Sequence, residues 1–187
     1  MGVPTASFVG IPDKVASKAG ALLVKIVHAW EATVHACKTA RYNTRGLPES
    51  AAITQLCEAM EAALHGQGDT LIARVQLLGQ PVNYSLAFVA ENSGIKPFPL
   101  DVQDPAQVVQ LLAETWTAMC ELTREHTQAL RDAGDPVSAH LAEHGAIQLE
   151  GASAGLQDIL AGLDPEEALE AVGTEAAEVA ASKPTAD

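Results

Sequence analysis

A long connection rich in proline and turn residues, residues 79–104, divides the chain into two pairs of predicted helices. Before it, apolar residues at helical spacing predict helices over residues 13–42 and 48–78. After it, an Asp-Pro pair opens each of two further helices, predicted over residues 105–131 and 136–162. A short helix near residues 85–91 is expected within the connection.

The length of this connection predicts the fold class. Two antiparallel neighbouring helices need only a short loop, so a connection of this length suits a crossover between two helix pairs. The predicted fold is therefore all-α, a ferritin-like four-helix bundle with a long crossover between its second and third helices. Aromatic residues make up only 4% of the chain, which favours closely packed helices over a sandwich or a barrel.

We expect three segments along the chain. Residues 1–12 form an N-terminal arm, because Pro4 and Pro12 interrupt any helix there. Residues 13–163 form the bundle. Residues 164–187 form an acidic C-terminal tail with almost no bulky apolar side chains, which we expect to be mobile.

Composition excludes several functional classes. The net charge of -13 disfavours free contact with nucleic acid. No apolar run approaches the roughly 20 residues that a membrane span needs, and the N-terminus lacks the pattern of a signal peptide. Cys37, Cys57 and Cys120 lack CxxC spacing, which predicts buried, reduced thiols. Together these features predict a cytoplasmic protein.

One stripe of the second helix has the composition of a metal site. Its members are separated by four, seven, four and four positions, so they share one helix face: Thr54, Glu58, His65, Asp69 and Ala73. Two carboxylates and an imidazole on one stripe could hold a metal ion. Acidic and His residues on a helix are usually a solvated face, which is the favoured explanation from spacing alone.

Two other groups of residues have metal-like spacing, and either could serve a metal-binding or haem-binding bundle. Exposed polar faces are the alternative interpretation for both. The groups are His28, Glu31 and His35 in the first helix, and His140, Glu143 and His144 in the fourth.

Packing expectations follow from the helical periodicity. In the third helix we predict an inward stripe formed by Val108, Leu112, Thr115, Met119, Leu122, His126 and Ala129. Trp116 lies off this stripe, which predicts a place at a subunit contact. Gly66 and Gly68 indicate either close helix approach or a kink in the second helix. In the fourth helix, which Gly145 weakens, Ile147 is expected to make apolar contacts.

Several stretches resemble the Dps family. RYNTRG, followed by a helix ending in DTLIARVQLLGQPV, resembles the HWNxxG and DxxAERxxxLGxxP signatures of that family. IKPFPLD resembles the connection between its second and third helices. ELTREHTQALRDAGDPVSAHLAEHGAIQLE resembles the C-terminal half of the branch found in halophilic archaea and cyanobacteria. The resemblance covers roughly residues 14–163.

The resemblance implies a function and an assembly. Dps proteins are ferritin-like cages of twelve subunits that oxidise ferrous iron, commonly with hydrogen peroxide, and store ferric mineral. We therefore expect a homo-oligomer, with twelve subunits and with iron as its metal, that sequesters iron and protects against peroxide. Dps proteins that bind DNA generally use basic tails. Only Lys14 and Lys18 stand near the arm here, so DNA binding is expected to be weak or absent.

The chain departs from the family pattern where the iron chemistry would lie. The resemblance implies an iron site shared by two subunits, yet Arg41, Thr54 and Ala73 replace two His and one Glu of that site. Only the carboxylates of Glu58 and Asp69 remain. The site therefore resembles a degenerate ferroxidase centre, and whether any Fe(II) oxidation survives stays open.

Two hypotheses follow for these residues. In the first, Arg41 of one subunit pairs with Glu58 and Asp69 of its partner and takes the place of the metal. The protein is then a non-catalytic cage or a co-assembling shell subunit. In the second, a relocated metal is bound by Glu58, His65 and Asp69, with Glu61 nearby.

Overall fold

Five α-helices form the part of the chain described by a computed structural model, residues 9–46, 50–102 and 104–160. The helices are α1 (Asp13–Asn43), α2 (Ser50–Leu77), α3 (Leu86–Asn92), α4 (Pro105–Ala133) and α5 (Pro136–Leu160). No strand occurs in these ranges. Most of the expected arm and the whole expected tail lie outside the described residues, as does the predicted start of α2 at residue 48.

The four long helices form a bundle in which α1 packs against α2 and α4, and α5 packs against α4 and α2. The short helix α3 lies within the crossover from α2 to α4 and packs against α1. The all-α, ferritin-like bundle with a long crossover is therefore confirmed, as is the short helix within the connection. No helix in the described ranges is long and apolar enough to cross a membrane.

Two tryptophans in the bundle core have satisfied indole groups. Trp30 of α1 donates from Nε1 to Thr123 Oγ1 at 2.9 Å, and Trp116 of α4 donates from Nε1 to the carbonyl oxygen of Leu149 at 3.0 Å. Trp116 is 1% exposed. The expectation that it lies at a subunit contact is therefore wrong, since it joins α4 to α5 inside one chain.

The error at Trp116 comes from the assumed period of α4. The predicted stripe advanced 3.5 residues per turn, whereas a straight α-helix has 3.6, so the assumed face drifts by about 20° per heptad. The observed buried positions drift accordingly and include Trp116, Thr123, Thr127 and Leu130. Thr115, Leu122, His126 and Ala129 are only partly buried.

Glycine allows close helix approach on α5 and not on α2. A Cβ atom at Gly145 would lie 2.6 Å from the Trp30 ring, so α5 approaches α1 closely only because this residue has no side chain. A Cβ at Gly66 or Gly68 would meet nothing within 4 Å, and α2 is unbroken. Ile147 is 62% exposed, so the expectation that it packs in the bundle is wrong.

A buried ion pair joins α2 to the start of α5. Arg74 Nη2 donates to both carboxylate oxygens of Asp135 at 3.0 and 3.1 Å, and Arg74 Nε donates to Ser138 Oγ at 3.0 Å. Asp135 also accepts from the Ser138 backbone N–H and so caps α5. Gly134, with φ of 88°, ends α4 just before this cap.

The three cysteines are free and buried, which confirms that prediction. Cys37 of α1 contacts Cys57 of α2, and this thiol–thiol hydrogen bond, together with burial, raises the pKa of Cys37 well above its usual value. Burial raises the pKa of Cys120 to about 11. Cys37 and Cys120 are therefore protonated thiols at neutral pH.

Candidate functional site

Arg41 lies in the last turn of α1 and reaches across to the antiparallel helix α2. Its Nη1 donates to Glu58 Oε1 at 2.9 Å, and its Nη2 lies 3.7 Å from Glu61 Oε1. The guanidinium carbon lies 5.1 Å from the centre of the Tyr42 ring. The hydrogen bond to Tyr42 raises the pKa of Arg41, as do the charges of Glu61 and Glu58, so the group is a permanent cation.

The contact with Glu61 is electrostatic. At 3.7 Å the two groups are too far apart for a hydrogen bond, and within the described residues Glu61 Oε1 and Arg41 Nε are buried without a hydrogen-bond partner. Glu61 is mostly buried, whereas the Glu58 side chain is 58% exposed. The more strongly desolvated carboxylate is therefore the one with the weaker contact.

The first hypothesis about Arg41 concerns a partner subunit and stays a prediction. Within its own chain the guanidinium pairs with Glu58 and Glu61, whereas the hypothesis placed it between Glu58 and Asp69 of a partner. Arg41 and Glu58 lie within reach because α1 and α2 are antiparallel neighbours, with α1 ending at Asn43 and α2 beginning at Ser50. Sequence alone did not separate an intramolecular pair from an intermolecular one.

A second polar group lies in a pocket between α1, α2 and the segment that precedes α3. Glu31, His65, Asp69 and Tyr84 line it, together with apolar side chains and Trp30. Tyr84 donates its hydroxyl to Glu31 Oε2 at 2.8 Å. Burial raises the pKa of Tyr84 strongly, and the Glu31 hydrogen bond and the charges of Glu31 and Asp69 act in the same direction. The pocket is therefore electronegative.

His35 lies one helical turn beyond Glu31 on α1. Its Nε2 is 3.4 Å from Glu31 Oε1, within ion-pair distance, but the atoms do not have the geometry of a hydrogen bond. The two groups are therefore close to each other without forming a hydrogen bond. His35 stands at the edge of the Glu31 carboxylate and does not line the pocket.

The predicted metal ligands do not meet. Glu58 is held by Arg41, whereas His65 and Asp69 face the Glu31 pocket. Across the described ranges, no three His, Cys, Asp or Glu side chains are placed so that they could already hold a metal ion. The Arg41 position does not fit a metal, because its guanidinium would repel one. Thr54 is half-buried and Ala73 is exposed, and neither supplies a strong ligand.

The other two His groups have different environments from each other. His28 is 1% exposed, its Nε2 lies 2.8 Å from the carbonyl oxygen of Asn83, and its ring meets Phe88 edge-on at 5.5 Å. The expectation of an exposed polar face is therefore wrong at His28. Its contacts with Asn83 and Phe88 join α1 to the crossover. On α5, His140 and His144 are exposed, and Glu143 pairs with Arg131 of α4.

Sequence reasoning missed the joint role of Glu31 and Tyr84. Glu31 was grouped with the two His residues of its own helix, and Tyr84 lies in the connection, where no periodicity indicates which way a side chain points. The only available signal was the length of the crossover, which requires that its residues pack somewhere on the bundle.

Comparison with known proteins shows which proteins this chain is similar to. No protein-family model matches the chain. A DNA protection during starvation protein from Agrobacterium fabrum is 28% identical over 104 residues, which are 56% of this chain and 64% of that protein. The chain thus spans less than two thirds of the length of this curated relative.

Two solved structures share the fold over nearly the whole bundle. An archaeal Dps homologue from Halobacterium salinarum superposes with a TM-score of 0.74 at 23% identity, over 84% of this chain and 87% of that one. The Dps protein of Vibrio cholerae O1, described as one of the ferritin-like diiron-carboxylate proteins, has a TM-score of 0.75 at 16% identity, over 86% and 99%. The chain is thus similar to Dps proteins and shares their ferritin-like fold.

In this Dps-like chain the ionisable side chains of α2 fall into three groups. Glu58 and Glu61 face Arg41, His65 and Asp69 face the Glu31 pocket, and Arg74 faces Asp135. His65 and Asp69 share their pocket with Glu31, so an imidazole and two carboxylates line it. No Arg or Lys is among the described residues that line this pocket.

Proposed function

We propose that this chain is the subunit of a Dps-like cage that sequesters iron and protects against peroxide and iron stress. In this proposal Fe(II) is the substrate and ferric mineral the cargo. Oxidation at the position of the family's ferroxidase centre is impaired, because Arg41 occupies it. The assembly is a homo-oligomer, expected to have twelve subunits.

One observation carries the impairment, the contact of Arg41 with Glu58 at 2.9 Å and with Glu61 at 3.7 Å. Two unit charges 4 Å apart interact by about 4 kcal/mol near a protein surface. A divalent ion beside this guanidinium would be repelled by a comparable or larger amount. The carboxylates that could attract the ion are also already compensated by Arg41.

Two further observations support a role with iron. The Vibrio cholerae relative is described as a ferritin-like diiron-carboxylate protein. The net charge of -13 suits a protein that concentrates cations. An acidic interior can draw in Fe(II) and nucleate mineral even where oxidation at the centre is weak.

The alternative is a non-catalytic cage or a shell subunit that assembles with a related chain. The same Arg41 contact favours it, because a permanent cation completes the Glu58 and Glu61 pair without any metal. The two proposals differ in one measurable quantity. A storage cage retains far more iron than discrete sites could hold, whereas a shell subunit retains none.

The test is an iron-loading assay on the purified assembly. Fe(II) is added first with limiting hydrogen peroxide and then with air, while ferric absorbance is followed. Retained iron is measured after gel filtration. We expect retained iron above the number of discrete sites, with oxidation little faster than in buffer.

A reconstructed variant tests the part assigned to Arg41. The triple variant Arg41→His, Thr54→His and Ala73→Glu restores the donors that the resemblance implies, and we expect it to oxidise Fe(II) faster. The matched control carries Ala73→Gln instead, which has the same size without the charge, and should gain less. Fast oxidation by the unmodified protein, with no gain in the triple variant, would contradict the role of Arg41. The absence of retained iron would favour the shell subunit.

The proposal includes weak or absent DNA binding and a cytoplasmic location. The charge of -13 opposes contact with phosphate, and the three free, buried thiols suit a reducing compartment. A gel shift that persists at moderate salt without added divalent metal would contradict the first point.

A further inference from the structure

Three lysines form an exposed stripe on the N-terminal half of α1. Lys14, Lys18 and Lys25 are separated by four and seven positions, so they lie on one face of the helix, and all three are exposed. The exposed residues between them on this face, Ser17 and Ala21, carry no charge. This face, called the lysine stripe below, is a run of positive charge on a chain whose net charge is -13.

The bundle does not neutralise the lysine stripe. Within the described ranges, none of its three lysines forms an ion pair or a hydrogen bond. The arginines of the long helices behave differently, because each of them pairs with a carboxylate. They are Arg41, Arg74, Arg124 and Arg131. The stripe is therefore an unpartnered, positively charged helix face in a chain with 24 acidic residues.

The stripe lies where the start of α1 meets the end of α4. Trp30 of α1 donates to Thr123 of α4, and Lys25, which precedes Trp30, acts on His126, which follows Thr123. Burial lowers the pKa of His126, Glu125 opposes this effect, and the charge of Lys25 adds to it. The two helices are therefore antiparallel, and the stripe continues from Lys25 towards the end of the bundle.

The C-terminal segment, residues 164–187, has the opposite charge. It lies outside the described residues, but its sequence contains seven Asp or Glu and one Lys, which gives it a formal charge of -6. Its sequence is almost free of bulky apolar residues, so charge dominates any contact that it makes with the bundle. Among the segments of this chain, it is thus the one whose charge best complements the lysine stripe.

The direction of α5 sets the distance that this segment must cover. Trp116 of α4 contacts Leu149 of α5, and Arg131 of α4 pairs with Glu143 of α5, so these two helices are antiparallel. Because α4 is antiparallel to both α1 and α5, the last two run in the same direction. The end of α5 and the start of α1 therefore lie at opposite ends of the bundle.

The segment is long enough to cover that distance. Gly145 of α5 lies against Trp30 of α1, so the end of α5 at Leu160 is roughly 40 Å from Lys18 along the bundle axis at 1.5 Å per residue. An extended chain spans up to about 3.3–3.6 Å per residue. The carboxylates within residues 175–178 can therefore extend about 50–60 Å from the end of α5.

We propose that the acidic segment 164–187 binds to the lysine stripe of α1 and shields it from other polyanions. Each exposed ion pair is weak and changes an equilibrium by at most about fivefold. Attachment to the same chain offsets this weakness, because it holds the segment at an effective concentration on the order of millimolar. Salt screens such contacts, so the segment should leave the stripe at high ionic strength. Weak DNA binding then has a second cause besides the net charge.

Cross-linking of the full-length assembly tests the contact. A carbodiimide joins an amine directly to a carboxylate, and mass spectrometry identifies the joined residues. We expect bonds from Lys14, Lys18 and Lys25 to residues 164–187 at low salt, and at least about tenfold fewer at high salt, where charges are screened within a few ångströms.

Lys96 is the matched control for cross-linking. It is exposed and has no ion pair with a described residue. Its segment of the crossover leads to Leu100, which accepts from Asn43 at the end of α1, so Lys96 lies nearer than the stripe to the end of α5 along the bundle axis. A segment without preference should therefore react with Lys96 at least as often as with the stripe, and that result would overturn the proposal.

Heparin serves as a polyanion probe for the shielding. The double variant Glu175→Gln and Glu178→Gln removes two charges from the segment. The control, Glu91→Gln and Glu121→Gln, removes two exposed charges from the bundle and has the same net charge. We expect the segment variant to bind heparin at least about threefold more tightly than the control, since exposed ion pairs have effects of this size.

Substitution of the lysines completes the test. Lys18→Gln with Lys25→Gln, added to the segment variant, should remove its gain in heparin affinity. Equal affinity of the segment variant and its control, or a gain that survives the lysine substitutions, would contradict the shielding. Circular dichroism of each variant excludes unfolding as the cause. Iron plays no part in these measurements, so this proposal and the storage function fail separately.

Discussion

Arg74 and Asp135 form a two-point ion pair inside the bundle, with Nη2 at 3.0 and 3.1 Å from the two carboxylate oxygens. The Asp135 side chain is 1% exposed and that of Arg74 is 8% exposed. The pair fastens the end of α2 to the start of α5, and the same carboxylate caps α5. It is therefore a buried polar contact that holds α2 and α5 together.

Asp135→Asn should strongly destabilise the protein. The substitution leaves the Arg74 guanidinium buried without a counter-charge, and breaking a buried pair in this way costs about 3–5 kcal/mol. Urea unfolding followed by circular dichroism measures the loss. The matched control is Glu150→Gln, which breaks the exposed pair with Arg124 and should cost less than about 1 kcal/mol. Equal losses in the two variants would contradict the importance of burial.

The same carboxylate predicts a pH dependence. Burial alone would raise the pKa of Asp135, but hydrogen bonds from Ser138 and the charge of Arg74 outweigh it and hold the pKa below its usual value. The folded state therefore holds this proton less tightly than the unfolded state. The resulting stability is present above about pH 4, the ordinary range for Asp, and is lost as the pH falls through the folded pKa. Asp135→Asn should remove this contribution, so the free energy of unfolding should fall less steeply with decreasing pH in the variant than in the unmodified protein.

The glycines of α2 and α5 should respond in opposite ways to the same substitution. Gly66→Ala should stabilise the protein by about 0.5–1 kcal/mol, because the helix gains propensity and the new Cβ meets nothing within 4 Å. Gly145→Ala should destabilise it by about 1–3 kcal/mol, because its Cβ would lie 2.6 Å from the Trp30 ring. Thermal unfolding of the two variants side by side tests the contrast. A stabilised Gly145→Ala variant would show that α5 does not approach α1 so closely.

Thr123 should matter through its hydroxyl. It accepts from Trp30 Nε1 and itself donates to the carbonyl oxygen of Met119. Thr123→Val keeps the shape but leaves the indole N–H buried without a partner, which costs about 1–3 kcal/mol. Thr123→Ser keeps the hydroxyl and serves as the control. Similar unfolding midpoints for the two variants would contradict the role of this hydrogen bond.

The three thiols should resist modification in the folded protein. Burial and the contact between Cys37 and Cys57 raise the pKa of Cys37, and burial raises the pKa of Cys120 to about 11, so thiolate is scarce at neutral pH. A disulfide reagent at pH 7.5 should react slowly with the native protein. In denaturant it should react rapidly with all three cysteines. Fast reaction of one thiol under native conditions would show that its helix opens.

The architecture could be predicted from the sequence because the residues that begin and end a helix act locally. The Asp-Pro pair before α4 and Gly134 after it define that helix within a few residues, whatever the rest of the chain does. The crossover followed from its length alone. The side chain of Trp116 was misplaced because small errors in helical period add up over an element of 29 residues.

The candidate site could be predicted only in part because it depends on contacts between elements. The spacing predicted that these residues of α2 share one face, but the side chains that they meet on other elements decide what each one does. Glu58 accepts a hydrogen bond from Arg41, whereas Asp69 lines a pocket with Glu31 and Tyr84. Residues of one stripe therefore lie in two different environments. Nothing in the order of residues along α2 separates them.

The pairing of Arg41 with Glu58 changes what sets the charge at this end of α1. A metal ion can be removed by a chelator, exchanged for another ion or left unfilled when the cell is starved of it. A guanidinium undergoes none of these changes and does not titrate in the range where cells live. The positive charge at this position is thus fixed by the amino-acid sequence and does not depend on the supply of metal ions to the cell.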